Sequence, residues 1–399
     1  MALDMNRVSG VWLVERYNEP RNRPEIGEGE NIMGLDVDDH ELLVSTGVYL
    51  EGENRDGAFV ICDHAQAYLR TESTGYELLS IAVALDRYSW LREQYYFHAV
   101  PKNLDKTVAR CAEESCPLGF FLHVEKGVKI TLPVQAVMYM KSDSIEQMIH
   151  NVVILEEGSQ AQLITGCLAG HQNRVGTHIA IEELYIGKGA KLVSTMVHTW
   201  GADQQVYPFT GAIVKEDGRF ESNYVSLRPA KHLVSNPHTW LVGKRASAKY
   251  LTVVLASPNS TIETGGVVHM DAEETSAELA HRGVCTGGIM KQGGLLIGNS
   301  SCKAHVDCAG MLLDRGEDGY IESVPGLCSK HPEARMSHEA SIGKIAPEEV
   351  AYLMSKGMEE REAISMLIRG FLGTDVEGLG ADLDEQISGI VEVAGHGED

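Results

Sequence analysis

The chain has 399 residues, of which 43% are hydrophobic and 23% charged, so it can bury a core large enough for more than one structural unit. With 34 Lys and Arg against 57 Asp and Glu, the formal net charge is −23, which would repel a phosphate backbone or an anionic membrane surface. The composition therefore predicts no nucleic-acid partner and no membrane partner.

The chain carries no apolar run near the roughly 20 residues that cross a bilayer. Charged residues interrupt the apolar patch at the N-terminus, which is atypical of a secretion signal. We therefore expect a cytoplasmic protein, in which the eight cysteines are thiols rather than disulfides.

The first hundred residues differ from the middle of the chain. Four apolar residues have the three- and four-residue spacing of a helix face: Leu78, Ile81, Ala82 and Leu85. An aromatic cluster follows them, in "YSWLREQYYFHAV". Because the end of a repeat array needs a cover, this region is predicted to be a mixed helical cap on the repeats that follow.

From residue 151 the sequence repeats a unit of apolar strand, tight polar turn and second strand. The turns recur with a drifting period in the high twenties, at Gly158, Gly189, Gly218, Gly243, Asp271 and Gly298. A period of this length without an intervening helix predicts a parallel β-helix. The alternative, an antiparallel sandwich, would show turns about every 8 to 12 residues.

Two amphipathic helices are predicted after the repeats. Pro347 suits the first position of a helix, and Gly357 is placed to end it. The second helix has one apolar face, formed by Ile364, Leu367, Ile368 and Phe371. Periodicity alone leaves open whether this face packs on the repeats or on a partner, and we favour packing within the molecule.

These patterns predict three units in a mainly β protein. Residues 1–100 form the N-terminal mixed helical cap, 101–335 the parallel β-helix core, and 336–399 a C-terminal helical domain.

The boundary between the last two units carries the segment "SHEASIGKIAPEEVAYLMSKGMEEREAISMLIRGFL". It resembles the C-terminal signature of the SufB/SufD family, the scaffold subunits of the SUF iron–sulfur cluster assembly system. The segments "HNVVILEEGSQAQLITGC", "FESNYVSLRP", "AHVDCAGMLL" and "YSWLREQYYFHAV" resemble the archaeal single-gene branch of that family. The resemblance extends from about residue 47 to residue 372.

The resemblance implies a right-handed parallel β-helix flanked by helical domains, which forms a homodimer through the β-helix. It also implies a scaffold that is not itself an enzyme, holds a transient iron–sulfur cluster and supplies apo iron–sulfur proteins. A SufC-type ABC ATPase is expected to dock on the C-terminal helices, at Val350, Leu353, Met354, Ile364, Leu367, Ile368 and Phe371.

The resemblance implies a cluster or sulfur site at His338 and Glu339, which match the family's His-Glu-Ala motif. Imidazole and carboxylate can bind iron, and a thiolate supplies a soft ligand or carries sulfur. Where bacterial SufB has its cysteine, this chain has Gln292, so either the protein behaves like SufD or another thiol serves. Since Cys308 precedes Glu339 by about one coil, we expect those two side chains to be neighbours and expect Cys308, Glu339 and His338 to be the metal ligands. Three further candidates for the site have weaker support: Cys302, His305 and Cys285.

Two other functions are compatible with a β-helix. A polysaccharide lyase or hydrolase would use carboxylates or basic residues along a groove, but the acidic net charge disfavours a polyanionic substrate. An inert structural solenoid is disfavoured by the polar His338–Glu339 pair.

Overall fold

The computed structural model describes residues 55–372, apart from 72, 115, 172, 229 and 314–318, together with residues 43, 44 and 46. In this part of the chain the fold is a parallel β-solenoid of about seven turns, with a few helices. The predicted parallel β-helix is therefore confirmed. Strands pair in parallel throughout, except for two antiparallel pairs at the N-terminal end.

The first sheet has the strand order β2-β1-β5-β7-β9-β11-β14-β17-β19-β21. Its strands are β1 (Gly57–Cys62), β2 (Ala65–Thr71), β5 (Val134–Met140), β7 (Gln160–Ala169), β9 (Lys191–Thr199), β11 (Arg219–Ser226), β14 (Ser247–Ala256), β17 (Thr275–Cys285), β19 (Cys302–Leu312) and β21 (Ala334–Lys344).

The second sheet has the order β12-β15-β18-β16-β13-β10-β8-β6-β4-β3, and β20 pairs with β18. Its strands are β3 (Tyr76–Ser80), β4 (Phe120–Val124), β6 (Glu146–Leu155), β8 (Gly176–Ile186), β10 (Gln204–Val214), β12 (His232–Ser235), β13 (His238–Leu241), β15 (Thr261–Thr264), β16 (Val267–Met270), β18 (Gly288–Gly298) and β20 (Gly319–Ser329). A continuous apolar core fills the space between the two sheets.

Stacked turns along one corner keep the coils in register. Six residues with left-handed backbone recur once per coil: Gly127, Gly158, Gly189, Asp217, Arg245 and Glu274. Each of them donates its backbone N–H to a carbonyl in the next turn, as Gly158 does to Lys188 over 2.8 Å. The markers Gly158 and Gly189 thus stand at the left-handed position of their turns, whereas Gly218, Gly243, Asp271 and Gly298 do not have left-handed backbone.

Three short helices cover the N-terminal part of the second sheet: α1 (Ile81–Arg87), α2 (Ser89–Gln94) and α3 (Lys106–Cys111). Leu78, which we grouped with the helical residues, lies in β3. The helices and the aromatic segment pack on the outer face of the second sheet, where Ile81, Leu91 and Phe97 join Phe121 in one buried cluster.

A buried carboxylate fixes the aromatic segment to the solenoid. The side chain of Glu183 on β8 is fully buried and accepts hydrogen bonds from the backbone N–H groups of Phe97 (2.5 Å), Ala99 (2.7 Å) and Val100 (3.0 Å). The ring of His150 on β6 lies 2.8 Å from the same carboxylate. These bonds satisfy backbone donors that would otherwise be buried without partners.

Two helices follow the last strand: α4 (Pro347–Ser355) and α5 (Glu360–Leu372). Pro347 stands in the first turn of α4, and Gly357 adopts φ +98° just beyond it, as predicted. Helix α5 packs on the outer face of the first sheet, with Ile368 and Leu372 buried against a cluster that includes Val225. The predicted packing of its apolar face within the molecule is therefore what the structure shows.

The predicted domain boundary at 335/336 falls inside β21, which is the last strand of the first sheet and ends at Lys344. Among the described residues, no helix combines the length and the hydropathy of a membrane span.

We predict that Glu183→Ala destabilises the fold by about 3 kcal/mol, because it leaves the buried backbone N–H groups of Phe97 and Val100 without an acceptor and leaves Ala99 with only the Tyr185 hydroxyl, at 3.0 Å. Glu221→Ala is the control, since Glu221 is half-exposed and its ion pair with Lys191, at 3.1 Å, contributes little. The free energy of unfolding in urea measures both variants. Equal, small losses would show that Glu183 does not hold the segment.

Candidate functional site

The last coil, formed by β20 and β21, is named the terminal coil here. Both strands are sheet edges within the described residues. The coil also exposes large apolar side chains, with fractional exposures of 51% for Tyr320, 61% for Val324, 38% for Leu327 and 50% for Ile342. Its free backbone groups and apolar side chains make it a surface suited to binding another protein.

His338 and Glu339 both lie on β21 and are exposed, but they point in opposite directions. His338 pairs with Val306, whose side chain is buried in the core between the sheets. Glu339 pairs with Asp307, on the outer face of the first sheet. Because side chains alternate along a strand, His338 faces the interior side of the coil and Glu339 faces outward.

The expected contact between Cys308 and Glu339 is wrong. The coil from β19 to β21 is one residue longer than that contact requires, so Cys308 pairs with Ala340 and not with Glu339. A difference of one residue places a side chain on the other face of a sheet. The residue stacked on Glu339 is Asp307, which the sequence analysis did not select.

The Cys308 thiol lies in the solenoid core. Its side chain is fully buried, and burial raises the pKa of the thiol to about 12. His281 pairs with Cys308 in the neighbouring strand and is also buried. Burial lowers the pKa of His281 to about 4, and neither ring nitrogen has a hydrogen-bond partner. Both groups are therefore neutral at pH 7.

The two other candidate cysteines are core residues as well. Cys285 is fully buried and its thiol lies 3.3 Å from the carbonyl oxygen of Gly287. Cys302 is 4% exposed, and burial raises the pKa of both thiols. None of the eight cysteines, all of which lie in described residues, forms a disulfide, as expected.

The outer face carries a polar group around Glu339. Asp307 accepts a hydrogen bond from the guanidinium of Arg282 at 2.5 Å. His305 pairs with Ser337 in the register, and their side chains lie 2.8 Å apart. Asp307 is next to Cys308 in the sequence. Only the strand register shows that Asp307, and not Cys308, stacks on Glu339.

Gln292 occupies the interior of β18. Its amide nitrogen donates to the Ser323 hydroxyl at 2.9 Å, and its amide oxygen is buried without a partner. Gln292, expected from the resemblance to match the bacterial SufB cysteine, is therefore a neutral side chain that joins the last two coils of the second sheet.

The interior thiols and the outward carboxylates lie on opposite faces of the first sheet. Within the described residues, no three His, Cys, Asp or Glu side chains are close enough to hold one metal ion. A mixed set of thiolate, imidazole and carboxylate ligands is therefore not brought together among the described residues.

The residues selected for partner binding divide between buried and accessible. Ile368 is fully buried against the first sheet. The others are half-buried or exposed, and Met354 on α4 is 45% exposed. Tyr352 on α4, at 61%, and Met366 on α5, at 47%, were not selected and are more accessible than most that were.

We predict that iodoacetamide labels Cys116, which is exposed, within minutes and leaves Cys308 unlabelled in the folded protein. Alkylation requires an accessible thiolate, and Cys308 is buried with a raised pKa. Mass spectrometry of digested peptides reports both sites, and urea-unfolded protein serves as the positive control. Rapid labelling of Cys308 would show that the terminal coil opens in the folded state.

Comparison with known proteins places these features in a family. The family model described as the SUF system FeS cluster assembly, SufBD core domain, matches residues 138–371. A protein of Archaeoglobus fulgidus named as an iron–sulfur cluster assembly SufBD family protein is 36% identical over 357 residues, covering 89% of this chain and 95% of that protein.

Two further relatives carry the same family name. One, from Methanothermobacter thermautotrophicus, is 33% identical over 380 residues, covering 93% of this chain and 92% of the relative. The other, from Pyrococcus horikoshii, is 30% identical over 278 residues, covering 69% and 62%. The chain therefore belongs to the SufBD family of iron–sulfur cluster assembly proteins.

Proposed function

We propose that the chain is a scaffold that assembles a nascent iron–sulfur cluster at its terminal coil and docks a SufC-type ABC ATPase on its C-terminal helices. The observation that carries this proposal is the family match to residues 138–371, which spans the terminal coil, α4 and most of α5. The scaffold works in the cytoplasm, passes its cluster to apo iron–sulfur proteins and hydrolyses nothing itself.

The terminal coil and the neighbouring strand β19 supply ligands of both kinds that iron accepts. Glu339, Asp307 and His305 offer oxygen and nitrogen on the outer face, and Cys308 offers sulfur from inside, with His338 at the open end. In a homodimer, a second terminal coil at this open edge would bring further ligands and pair the unpaired backbone groups.

The exposed face of α4 is proposed as the ATPase-docking surface. Helix α5 is held to the solenoid by Ile368 and Leu372, which leaves α4 as the more accessible helix. A partner that binds the exposed face of α4 and moves this helix would pull on β21, the strand that carries His338 and Glu339. Only two residues, Ile345 and Ala346, separate β21 from α4. This short connection would transmit motion of the ATPase to the site.

A β-helix lyase or hydrolase is not favoured. The family match names an assembly system, and the carboxylates Asp307 and Glu339 stand on the outer face beside Arg282 rather than flanking a groove.

Replacement of Glu339 or Cys308 by Ala is predicted to lower bound iron and acid-labile sulfide at least fivefold, because each change removes a proposed ligand. Glu339 is exposed, so its loss leaves the packing intact, whereas Cys308 is buried and needs a buried-thiol control. Iron and sulfide are measured on protein purified anaerobically with its ATPase. Cys167→Ala and Glu221→Ala are controls for a remote buried thiol and a half-exposed acid on the same sheet. Unchanged iron and sulfide in both test variants would place the site elsewhere.

Tyr352→Ser and Met354→Ser are each predicted to weaken ATPase binding at least tenfold without loss of fold, since these side chains are 61% and 45% exposed. Titration of the ATPase by calorimetry gives the affinity. Val83→Ser, on α1 and 46% exposed, is the matched control.

Deletion after Lys344 is also expected to abolish ATPase binding while leaving the solenoid folded. It would, however, uncover the apolar cluster beneath Ile368, so the point variants are the cleaner test. Full affinity in both serine variants would contradict the assignment of α4.

A further inference from the structure

The wall of the second sheet is interrupted, whereas His338 and Glu339 lie on the first sheet. Strands β12 and β13 are separated by Asn236 and Pro237, and β15 and β16 by Gly265 and Gly266. On the next coil β18 is continuous, and its residues Gly293 and Gly294 lie beside the interruption. A groove with a cavity volume of about 340 Å³ lies along this interruption, which is the size of a small-molecule site.

Glycines shape the groove. A Cβ atom on Gly265 would lie 2.7 Å from the side-chain oxygen of Asn236, and one on Gly293 would lie 2.6 Å from the carbonyl oxygen of Val324. Side chains at these positions would therefore crowd the wall. The remaining lining includes the apolar residues Val234, Val267 and Leu295, which could contact a short hydrocarbon body.

One column of charged residues crosses the groove. Glu263, Lys291 and Glu322 are consecutive partners in the register of β15, β18 and β20, and all three line the cavity. Two carboxylates against one ammonium leave this column with a net negative charge.

Glu263 carries an unsatisfied acceptor at this site. The residue is only 9% exposed; its Oε1 lies 3.4 Å from the Lys291 ammonium, and its Oε2 is buried without a hydrogen-bond partner. A carboxylate can only accept hydrogen bonds, and a buried charge is costly unless it is paired. Lys291 lies beside Oε1, so what Oε2 lacks is a hydrogen-bond donor, and a cationic donor would also offset the net negative charge of the column.

We propose that this groove binds a small organic ammonium ion, with the ammonium group on Glu263 Oε2 and a short hydrocarbon body against the apolar lining. An inorganic cation would leave the apolar lining empty. A carboxylate or phosphate would meet Lys291 but face Glu263 and Glu322. The groove borders β20 of the terminal coil, whereas the proposed ligands His338, Glu339 and Cys308 lie on the first sheet.

The test is a titration of the full chain with n-butylammonium chloride at pH 7, followed by ligand-observed NMR. Saturable binding of one ion per chain is expected, and neutral butanol and anionic butyrate should bind at least tenfold more weakly. Glu263→Gln, which removes the charge but keeps the shape, should weaken butylammonium binding at least tenfold while the melting temperature shows that the chain is folded.

Glu278→Gln is the matched control, because Glu278 is an exposed acid 3.7 Å from Lys249 on the first sheet. It should bind butylammonium as the native chain does. A second variant, Val324→Trp, should block the groove, since Val324 lines it and is 61% exposed, so the larger ring need not disturb the core.

The proposal is overturned if butyrate binds better than butylammonium, which would identify an anion site at Lys291. It is also overturned if potassium competes at equal concentration, if binding is not saturable, or if Glu263→Gln binds unchanged. The groove is tested by butylammonium binding and the cluster proposal by iron and sulfide content. Failure of one proposal is therefore distinguishable from failure of the other.

Discussion

Parallel pairing between successive coils is the constraint on which the rest of the structure depends. Each strand from β5 to β19 has its backbone groups satisfied by the coil before it and the coil after it, and left-handed residues such as Gly158 and Asp217 hold the turns in step. The chain can end such an array only by covering the last edge or leaving it unpaired. At β20 and β21 the described residues leave it unpaired.

The same pairing decides which chemistry each face of the terminal coil can perform. Side chains alternate, so His338 and Cys308 belong to the interior side while Glu339 and Asp307 belong to the outside. Burial keeps the Cys308 thiol and the His281 imidazole neutral. Under the proposed function, assembly of a cluster from these groups needs a change at the open edge, which a partner on the C-terminal helices would cause through the short link from β21 to α4.

Local signals in the sequence were sufficient for the fold and for the C-terminal helices, because turn periodicity, Pro347 and Gly357 act within a few residues. The site was only partly predictable. Coil lengths vary, since Thr275 pairs with Cys302 and the step from Cys302 to its own partner Ala334 is longer. An assumed period therefore misplaced the partner of Glu339 by one residue.

Glu183 was missed for a different reason. Its backbone partners, from Phe97 to Val100, are far away in the sequence and belong to another structural unit. No local pattern around a buried carboxylate in a strand indicates which distant segment it will hold.

The most direct test of the unpaired terminal coil as the meeting point of two chains is the mass of the purified full chain by light scattering. The account predicts a dimer, with twice the chain mass of 43.6 kDa, at micromolar concentration. It further predicts a shift to the monomer when Ile342 on the open edge is replaced by Lys. A monomer for the native chain across that concentration range would contradict it.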